Sequence, residues 1–318
     1  MSKSILITGV AGFLGSHLSE ALLALGHAVT GIDNFDPFYP EEIKRRNLSS
    51  SLAHPNFRFH QLDIRNASDL DGLEGDFDLL IHIAAKAGVL PSVQNPSDYV
   101  SVNIAGTLHM LEFMRKRKIS KYLFASSSSI YGNSKTTPFA EDSPVNEPIS
   151  PYALTKRSGE LMNYTYHHLY GLDVLNLRLF TLYGPRQRPD LSIHKFAKRI
   201  EKGLAVEMYG DGSTARDYTH VRDVVQGFLL GMDYLFSHSD VYEIINIGNH
   251  HPVPLRELIR LSFKAWEKPE NVIQMPPQAG DVEITYASIE KAQALLGYMP
   301  QVSFEDGLRD FVQWYRSQ

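Results

Sequence analysis

The residues best suited to chemistry are a tyrosine and a lysine four positions apart, Tyr152 and Lys156. They open a predicted helix over 151–170, where residues at this spacing lie about 40° apart around the axis and about 6 Å along it. The phenol and the ammonium therefore share one face. Because a neighbouring cation favours the phenolate, we expect Lys156 to contribute, with any further positive charge nearby, to lowering the pKa of Tyr152 from about 10 towards neutral pH. Such a tyrosine can act as a general base or acid.

A run of serines lies upstream of this pair. Ser126 to Ser129 follow a predicted strand over 121–125. Hydroxyls at the carboxyl end of a strand emerge at the edge of its sheet, so Ser127 and Ser128 could hydrogen-bond an oxygen of a substrate. A tyrosine and a lysine at this spacing are common by chance. Their combination with the serine run and with a glycine turn near the N-terminus is specific.

The glycine turn joins the first predicted strand, over 3–8, to the first predicted helix, over 13–25. Its spacing is G-x-x-G-x-x-G rather than the commoner G-x-G-x-x-G. Glycine is needed where the chain turns sharply and where backbone approaches a pyrophosphate, which the helix N-terminus then binds. We therefore predict a dinucleotide site that includes Gly9, Gly12, Phe13, Leu14 and Gly15.

The second predicted strand ends in an aspartate, Asp33, followed by Asn34. A carboxylate at this place accepts hydrogen bonds from the 2′- and 3′-hydroxyls of a ribose and repels a 2′-phosphate, which favours NAD over NADP. Ligands of open α/β sheets bind at the carboxyl edge of the strands. Further residues predicted at that edge are Asp63, Ile64, Ala84, Ala85 and Lys86.

Short apolar runs alternate with amphipathic segments through the first 180 residues. Strands are predicted over 3–8, 28–32, 57–61, 78–83, 121–125 and 173–179, and helices over 13–25, 96–117 and 151–170, with a polar insert over 34–55. This alternation indicates an α/β fold with a doubly wound parallel sheet that is covered on both faces.

The rest of the chain is cut into short pieces by prolines. Strand-like runs over 205–209 and 242–247 alternate with helical runs over 193–202, 221–236 and 255–265, which predicts a smaller mixed α/β lobe. We place the boundary near Gly184, between a nucleotide-binding domain over 1–183 and a second lobe over 184–318.

Composition narrows the function classes. Of 318 residues, 43% are hydrophobic and 21% charged, the net charge is −5, and there is no cysteine. Disulfides, iron–sulfur clusters and a cysteine nucleophile are excluded, and a reducing cytoplasm is expected. A weakly acidic chain has no field to attract nucleic acid or anionic lipid, and no apolar stretch of about 20 residues predicts a membrane span. The paired histidines lack metal-ligand spacing, so no metal site is predicted.

Taken together, these motifs resemble the extended short-chain dehydrogenases/reductases, in the branch of NAD-dependent nucleotide-sugar epimerases and dehydratases. The resemblance covers essentially the whole chain and includes the segments 82–88, 102–107, 210–212 and 216–218. It implies a Rossmann domain with a C-terminal nucleotide-sugar lobe, bound NAD, and a triad of Ser127, Tyr152 and Lys156. It also implies that Asn103 and Phe180 belong to the cofactor site.

The resemblance further implies a mechanism. Tyr152 would take the proton of the sugar 4-hydroxyl while hydride leaves C4 for NAD, the 4-keto sugar would rotate, and hydride would return to its other face. Ser127 would hydrogen-bond the C4 oxygen, and Lys156 would bind the nicotinamide ribose, whose positive ring also favours the phenolate. Dehydratases of the family carry an acidic pair after the strand, whereas this chain has only serines there, which favours an epimerase.

The segment over 180–190 points to the sugar. Together with 33–39, 279–282 and 296–298 it resembles UDP-glucuronate 4-epimerases, and an arginine is the natural bidentate partner of a carboxylate. The resemblance implies that Arg186 and Thr181 bind the C5 carboxylate, that Arg216 binds the diphosphate, and that Tyr209 lines the uridine pocket.

Several alternatives stay open. Arg186 could instead belong to an interdomain ion network, and Leu90 and Gln278 stand where relatives carry arginine, which favours a neutral sugar such as UDP-glucose or UDP-galactose. A UDP-glucuronate decarboxylase would hold the same carboxylate differently. A non-catalytic NAD-sensing protein could share the fold. The resemblance also implies a homodimer that pairs the helices over 96–117 and 151–170 in a four-helix bundle.

Overall fold

A computed structural model describes residues 2–277 and 282–318 of the chain. The strands are β1 (Ser4–Thr8), β2 (Ala28–Asp33), β3 (Phe57–Gln61), β4 (Leu79–His82), β5 (Lys121–Ser127), β6 (Asp173–Leu179), β7 (Thr181–Tyr183), β8 (Val206–Tyr209), β9 (Ala215–His220), β10 (Tyr242–Ile247), β11 (Pro252–Pro254) and β12 (Val272–Met275). The helices are α1 (Phe13–Ala24), α2 (Glu41–Leu52), α3 (Ala67–Asp71), α4 (Val89–Gln94), α5 (Pro96–Tyr99), α6 (Gly106–Arg117), α7 (Pro151–Tyr170), α8 (Ser192–Glu201), α9 (Val221–Ser237), α10 (Leu255–Trp266), α11 (Glu290–Leu296) and α12 (Phe304–Arg316).

Seven parallel strands form the central sheet, in the order β10-β6-β5-β4-β1-β2-β3. Their interior residues are apolar and fully buried, as in Ile5, Leu80 and Leu123, because helices cover both faces. The chain runs outward from β1 in both directions, so β1 and β4 flank the point where strand order reverses. Ligands of doubly wound sheets bind outside the strand ends at this point. The predicted fold class is confirmed.

The central sheet also includes residues from beyond the boundary that the sequence suggested at Gly184. Strand β10 pairs in parallel with β6, and α9 packs against α1, β5 and β6. The physical reason is the open edge that β6 offers to β10, whose Ile245 and Ile247 are completely buried in the main core. The segment over 184–318 is therefore not one continuous lobe, since it returns to the nucleotide-binding sheet before it ends.

Two other segments differ from their predictions. The polar insert contains α2, which has Glu41 and Glu42 in its first turn, where acidic side chains stabilise a helix, and which buries Leu48. The long helix predicted over 96–117 widens into a π-helical stretch at Val100–Ala105 between α5 and α6. Such widened turns often lie at functional sites, and this one contains Asn103.

The remaining elements form a smaller lobe with a core of its own. A three-stranded sheet of β11, β9 and β7 and a parallel pair of β12 and β8 pack with α8, α10 and α12. Large buried side chains such as Tyr183, Trp266 and Phe311 fill the space between them. Among the described residues, no helix is long and apolar enough to cross a membrane.

Candidate active site

A cavity of about 540 Å³ opens along the carboxyl edge of the central sheet and extends to the smaller lobe. It brings together residues that are far apart in the chain. The predicted site residues that line it are Gly9, Gly12, Phe13, Leu14, Gly15, Asp33, Asn34, Asp63, Ile64, Ala84, Ala85, Lys86, Ser127, Ser128, Tyr152, Lys156, Phe180, Thr181 and Arg216. Asn103, Arg186 and Tyr209 are not among its lining residues.

The glycine turn leaves room at one end of the cavity. Gly9 has a φ of +74°, and a Cβ atom there would lie 2.8 Å from the backbone nitrogen of Ala84. A Cβ atom on Gly15 would lie 2.2 Å from the carbonyl oxygen of Gly9. Gly12 caps α1 without a side chain, so the first amides of the helix face the cavity uncovered. This backbone fits a pyrophosphate, which needs close approach and amide donors.

Asp33 ends β2 beside the glycine turn. Its carboxylate accepts hydrogen bonds from the backbone amides of Ala11 (3.1 Å) and Phe35 (2.8 Å), which fix its orientation. Burial raises the pKa of Asp33, and the charge of Lys44, whose Nζ lies 3.9 Å from the carboxylate, opposes that rise. Each carboxylate oxygen accepts one amide bond and retains acceptor capacity, so the residue fits the role of a ribose acceptor.

Other predicted residues at the strand ends are held by side-chain hydrogen bonds. Asn103 accepts a hydrogen bond from the amide of Lys86 (2.8 Å), and its own amide donates to the Lys86 carbonyl (2.9 Å) and to Thr155 (2.9 Å). It therefore joins the end of β4 to α7 from behind the cavity. Burial alone would raise the pKa of Asp63, but hydrogen bonds from Arg65 and Asn34 lower it to about 2.

The three predicted catalytic residues meet in the middle of the cavity. Ser127 is the last residue of β5, and Tyr152 and Lys156 lie in the first two turns of α7. Gly159 allows this closeness, because a Cβ atom there would lie 2.5 Å from the ring of Phe124 on β5. The Lys156 ammonium donates a hydrogen bond of 2.8 Å to the carbonyl of Ala125. The serine run and the helix therefore face each other across one small volume.

The charges around the tyrosine differ from the sequence expectation. Burial raises the pKa of Tyr152, and the opposing influences are a hydrogen bond with Ser127 and the charge of Arg188 rather than Lys156. Burial also lowers the pKa of Lys156 to about 8, although the charge of Glu160 acts in the other direction. The Lys156 ammonium is directed to the Ala125 carbonyl, and its effect on the pKa of Tyr152 together with a nicotinamide ring stays a prediction.

The two arginines of the interlobe segment lie on opposite sides of it. Arg186 turns away from the cavity and pairs with Glu20 on α1 at 2.8 Å, whereas Arg188 lines the cavity. Arg188 donates hydrogen bonds of 2.9 and 2.8 Å to Asp190, and its guanidinium lies 5.4 Å from the ring centroid of Phe38. The arginine that faces the substrate space is thus the second of the pair, not the first.

Two further predictions concern the nucleotide end. Arg216 lines the main cavity, as expected for a diphosphate ligand. Tyr209 lies instead beside a separate surface hollow with Gly210 and Thr214, where its hydroxyl donates to Glu207 at 3.2 Å. Gln278 and the segment 279–281 lie outside the described residues, while Leu90 lines the cavity. No group of three or more metal-ligating side chains occurs in the described parts of the chain.

Sequence reasoning missed the residues that approach from the polar insert. Asp36, Phe38, Tyr39 and Lys44 all line the cavity. Asp36 forms an ion pair with Lys86 at 3.3 Å, which joins the insert to the end of β4. The signal that could have found them is the position of the insert directly after Asp33, since a loop that follows a strand of a doubly wound sheet lies at the ligand edge.

Comparisons with known proteins agree with this geometry. A family model described as "NAD dependent epimerase/dehydratase family" matches residues 5–248. A UDP-glucuronate 4-epimerase of Thermodesulfobacterium geofontis is 41% identical over 97% of this chain and 95% of its own.

Solved structures give the same result. The chain is similar to a Bacillus cereus UDP-glucuronic acid 4-epimerase in complex with UDP-glucuronic acid and NAD, with a TM-score of 0.91, 34% identity and 99% of both chains covered. The chain is also similar to a UDP-glucose 4-epimerase of Thermotoga maritima with UDP-glucose, with a TM-score of 0.89, 32% identity and 99% of both chains covered. Both similarities span the two parts of the fold, the central sheet and the smaller lobe.

Proposed function

Because the chain belongs to the NAD dependent epimerase/dehydratase family, we propose that it inverts C4 of a UDP-sugar, and that the sugar is glucuronate. UDP-glucuronate would become UDP-galacturonate. The observation that carries the proposal is one cavity that contains the glycine turn, the three residues Ser127, Tyr152 and Lys156, and the cation of Arg188. A protein that only sensed NAD would have no use for the last two features.

NAD fits the sheet end of this cavity. The uncovered amides of α1 would hold the pyrophosphate, and Asp33 would accept the adenosine ribose hydroxyls and exclude a 2′-phosphate. When bound, NAD accepts hydride from C4 of the sugar and later returns it. Reduction of the sugar on its other face needs a space in which the ring can turn, and the cavity continues from the sheet into the smaller lobe.

The proton follows a path through two side chains. Tyr152 would take the proton of the C4 hydroxyl as general base and give it back as general acid after the ring has turned. Ser127, which lines the same part of the cavity as Tyr152, would hold the C4 oxygen in place during both steps. The Lys156 ammonium is hydrogen-bonded to the Ala125 carbonyl. Its positive charge would stabilise the phenolate of Tyr152 through space from that position, and more strongly if the ammonium moved towards the phenol.

Arg188 accounts for the choice of a uronate. It is the cation of the interlobe segment that faces the cavity, and its positive charge opposes the rise of the Tyr152 pKa that burial causes. The 4-keto intermediate of a uronate is a β-keto acid, which loses carbon dioxide readily. A guanidinium that binds both carboxylate oxygens would hold the group and resist this loss, with Thr181 as a second ligand from the same wall.

Two other activities fit less well. Among the described residues, the carboxylates that line the cavity are Asp33, Asp36 and Asp63, and all three lie at the sheet end, so none of them is placed to eliminate water at the serines as in a dehydratase. Arg188 is paired with Asp190 through Nε and Nη2, and a neutral sugar would leave the other donors of its guanidinium without an anionic partner. Leu90 in the lining is the one observation that favours UDP-glucose, because it makes the pocket less cationic than an arginine would.

The test is NMR analysis of products formed from UDP-glucuronate and from UDP-glucose, offered separately. We expect UDP-galacturonate from the first and slower inversion of the second. The Tyr152→Phe variant should lose inversion yet keep its bound NAD, which absorbance of the denatured protein's supernatant would measure. Inversion of UDP-glucose alone would identify the neutral sugar as the substrate, and UDP-pentose as the main product would identify a decarboxylase.

We also propose a homodimer that works in the cytoplasm. Leu154 and Leu161, seven residues apart on α7, are 44% and 52% exposed, and Leu108 on α6 is 40% exposed. Exposed aliphatic side chains on two adjacent helices fit a four-helix bundle between two copies of the chain. The absence of cysteine suits a reducing compartment.

A further inference from the structure

The loop that carries Arg188 has an unusual backbone two residues earlier. Arg186 has a φ of +65°, in the left-handed region that side chains other than glycine seldom adopt. Such a conformation persists only where surrounding contacts hold it, and it is found most often at functional sites. Contacts around Arg186 must therefore stabilise this conformation.

These contacts come from the cofactor helix. Glu20 accepts a hydrogen bond of 2.8 Å from Nη2 of Arg186, and His17 Nε2 donates one of 2.9 Å to the carbonyl oxygen of Pro185. His17 and Glu20 are three residues apart, so they lie on one face of α1. Burial lowers the pKa of His17 to about 4, which keeps the ring neutral, and Nε2 carries the proton because its partner is a carbonyl oxygen.

The loop has further supports along its length: the Gln187 carbonyl accepts a hydrogen bond of 3.0 Å from Nδ1 of His194, and the Arg188 carbonyl accepts one of 3.2 Å from the amide of Leu191. The amide of Gln187 donates to Gly184 at 3.1 Å and closes a tight turn, and its side chain donates to the Leu182 carbonyl at 3.1 Å. Within the described residues, Nη1 of Arg186 is buried and has no hydrogen-bond partner. The guanidinium of Arg186 is thus bound to Glu20 alone among the residues that the structure describes. The side chains of Arg186 and Arg188 leave the same turn in opposite directions.

We propose that Glu20 is a positioning residue for substrate specificity, which acts through Arg186 on the register of Arg188. The inference rests on the proposed function. The N-terminus of α1 faces the cofactor site, and His17 and Glu20 on the same helix hydrogen-bond the loop that carries Arg188. The position of Arg188 is thereby set relative to the cofactor. Without the Glu20 pair, residue 186 can leave its left-handed conformation, and the turn that carries Arg188 shifts with it.

The test compares Glu20→Gln, which removes the charge and keeps the volume, with the wild-type enzyme. We expect the KM for UDP-glucuronate to rise about fivefold, as loss of a partly exposed ion pair would predict, with kcat within twofold. The Ki of UDP, which lacks the sugar carboxylate, should not change. Glu257→Gln is the matched control, since it breaks a similar pair with Arg260 on α10.

Two further variants protect the test against a folding defect. Arg186→Gln removes the cation that Glu20 holds and keeps a side chain that disfavours the left-handed backbone, so it should raise the KM in the same way. Reversal of the pair, Glu20→Arg with Arg186→Glu, should restore much of the wild-type KM. Melting temperatures measured alongside would separate a loss of positioning from a loss of stability.

The outcomes discriminate between the two proposals. An unchanged KM for UDP-glucuronate in both Glu20→Gln and Arg186→Gln would refute the role of Glu20 and leave the proposed function intact. An equal rise in the Ki of UDP would also refute it, because the effect would then be a general loosening of the nucleotide site. A wild-type enzyme that does not invert UDP-glucuronate would refute the proposed function and this inference with it.

Discussion

Substitution of Arg188 by glutamine tests how the cavity selects its sugar. The change removes the one positive charge that the interlobe segment directs into the cavity and keeps a hydrogen-bonding side chain of similar width. Hydrogen bonds to a charged group contribute about 1.5–3 kcal/mol each. Loss of one such interaction corresponds to a fall of about 10- to 150-fold in kcat/KM for UDP-glucuronate.

The assay follows UDP-glucuronate and UDP-glucose by NMR, with UDP as a competitive inhibitor. We expect the Ki of UDP to stay within twofold, since UDP lacks the carboxylate, and kcat/KM for UDP-glucose to fall much less than that for UDP-glucuronate, since only the charge of Arg188 near Tyr152 is then lost. UDP-pentose should also increase among the products, because a carboxylate that Arg188 no longer holds leaves the β-keto acid as carbon dioxide.

A control is needed for the partner that the substitution leaves behind. Asp190 is 33% exposed and loses both hydrogen bonds from Arg188, so Arg188→Gln with Asp190→Asn removes the stranded charge. If the double variant recovers activity on UDP-glucuronate, the loss came from Asp190 and the reasoning fails. It also fails if activity on both sugars falls by the same factor.

Three further predictions concern the scaffold. Glu160→Gln should lower the free energy of unfolding by about 3–5 kcal/mol. The reason is that Arg178, which is 1% exposed and bonded to both oxygens of Glu160, becomes a buried charge without its carboxylate partner. A loss below about 1 kcal/mol in urea denaturation would contradict this. Burial lowers the pKa of His82 to about 3, so the unfolded chain binds the extra proton between about pH 6.5 and 3, and stability present above pH 6.5 falls as the pH decreases, by up to about 1.4 kcal/mol per pH unit. His82→Gln should reduce the slope of unfolding free energy against pH between 7 and 5, and an unchanged slope would argue against a neutral folded His82. Leu161→Glu should halve the mass measured by light scattering, whereas a wild-type protein that is already monomeric would refute the proposed bundle.

Much of the central sheet follows from local pattern. The strands are short, apolar and buried on both faces, so each can be recognised as a buried parallel strand from its local sequence alone. The glycine turn is likewise a local requirement, since a Cβ at Gly9 or Gly15 would collide with backbone. Tyr152 and Lys156 could be paired because helical spacing alone puts them on one face.

Other features depend on partners far away in the chain. The spacing of Arg186 and Arg188 does not say which of them faces the cavity, because the answer depends on Glu20 and on a left-handed turn. The apolar pattern of β10 is the same whether the strand joins the small lobe or the central sheet. It joins the sheet because β6 offers an open edge there.

The pKa of Tyr152 is a third case of this kind. Helical spacing puts Lys156 near it, but the ammonium finds a closer acceptor in the carbonyl of Ala125, which only the packing of α7 on β5 reveals. Desolvation then dominates and raises the pKa of the phenol. Sequence spacing can bring two groups to one face of a helix, whereas the direction of their interaction depends on the strand beneath them.

The most direct test of the account is the fate of the hydrogen at C4. Purified protein would be given UDP-glucuronate that carries deuterium at C4, and the products would be analysed by NMR in ordinary water. We predict UDP-galacturonate with the deuterium still at C4, because the deuteride that leaves C4 for NAD would return from NAD to the opposite face of the same carbon. UDP-galacturonate in which the label has been replaced by solvent hydrogen, or the absence of any inverted product, would contradict it.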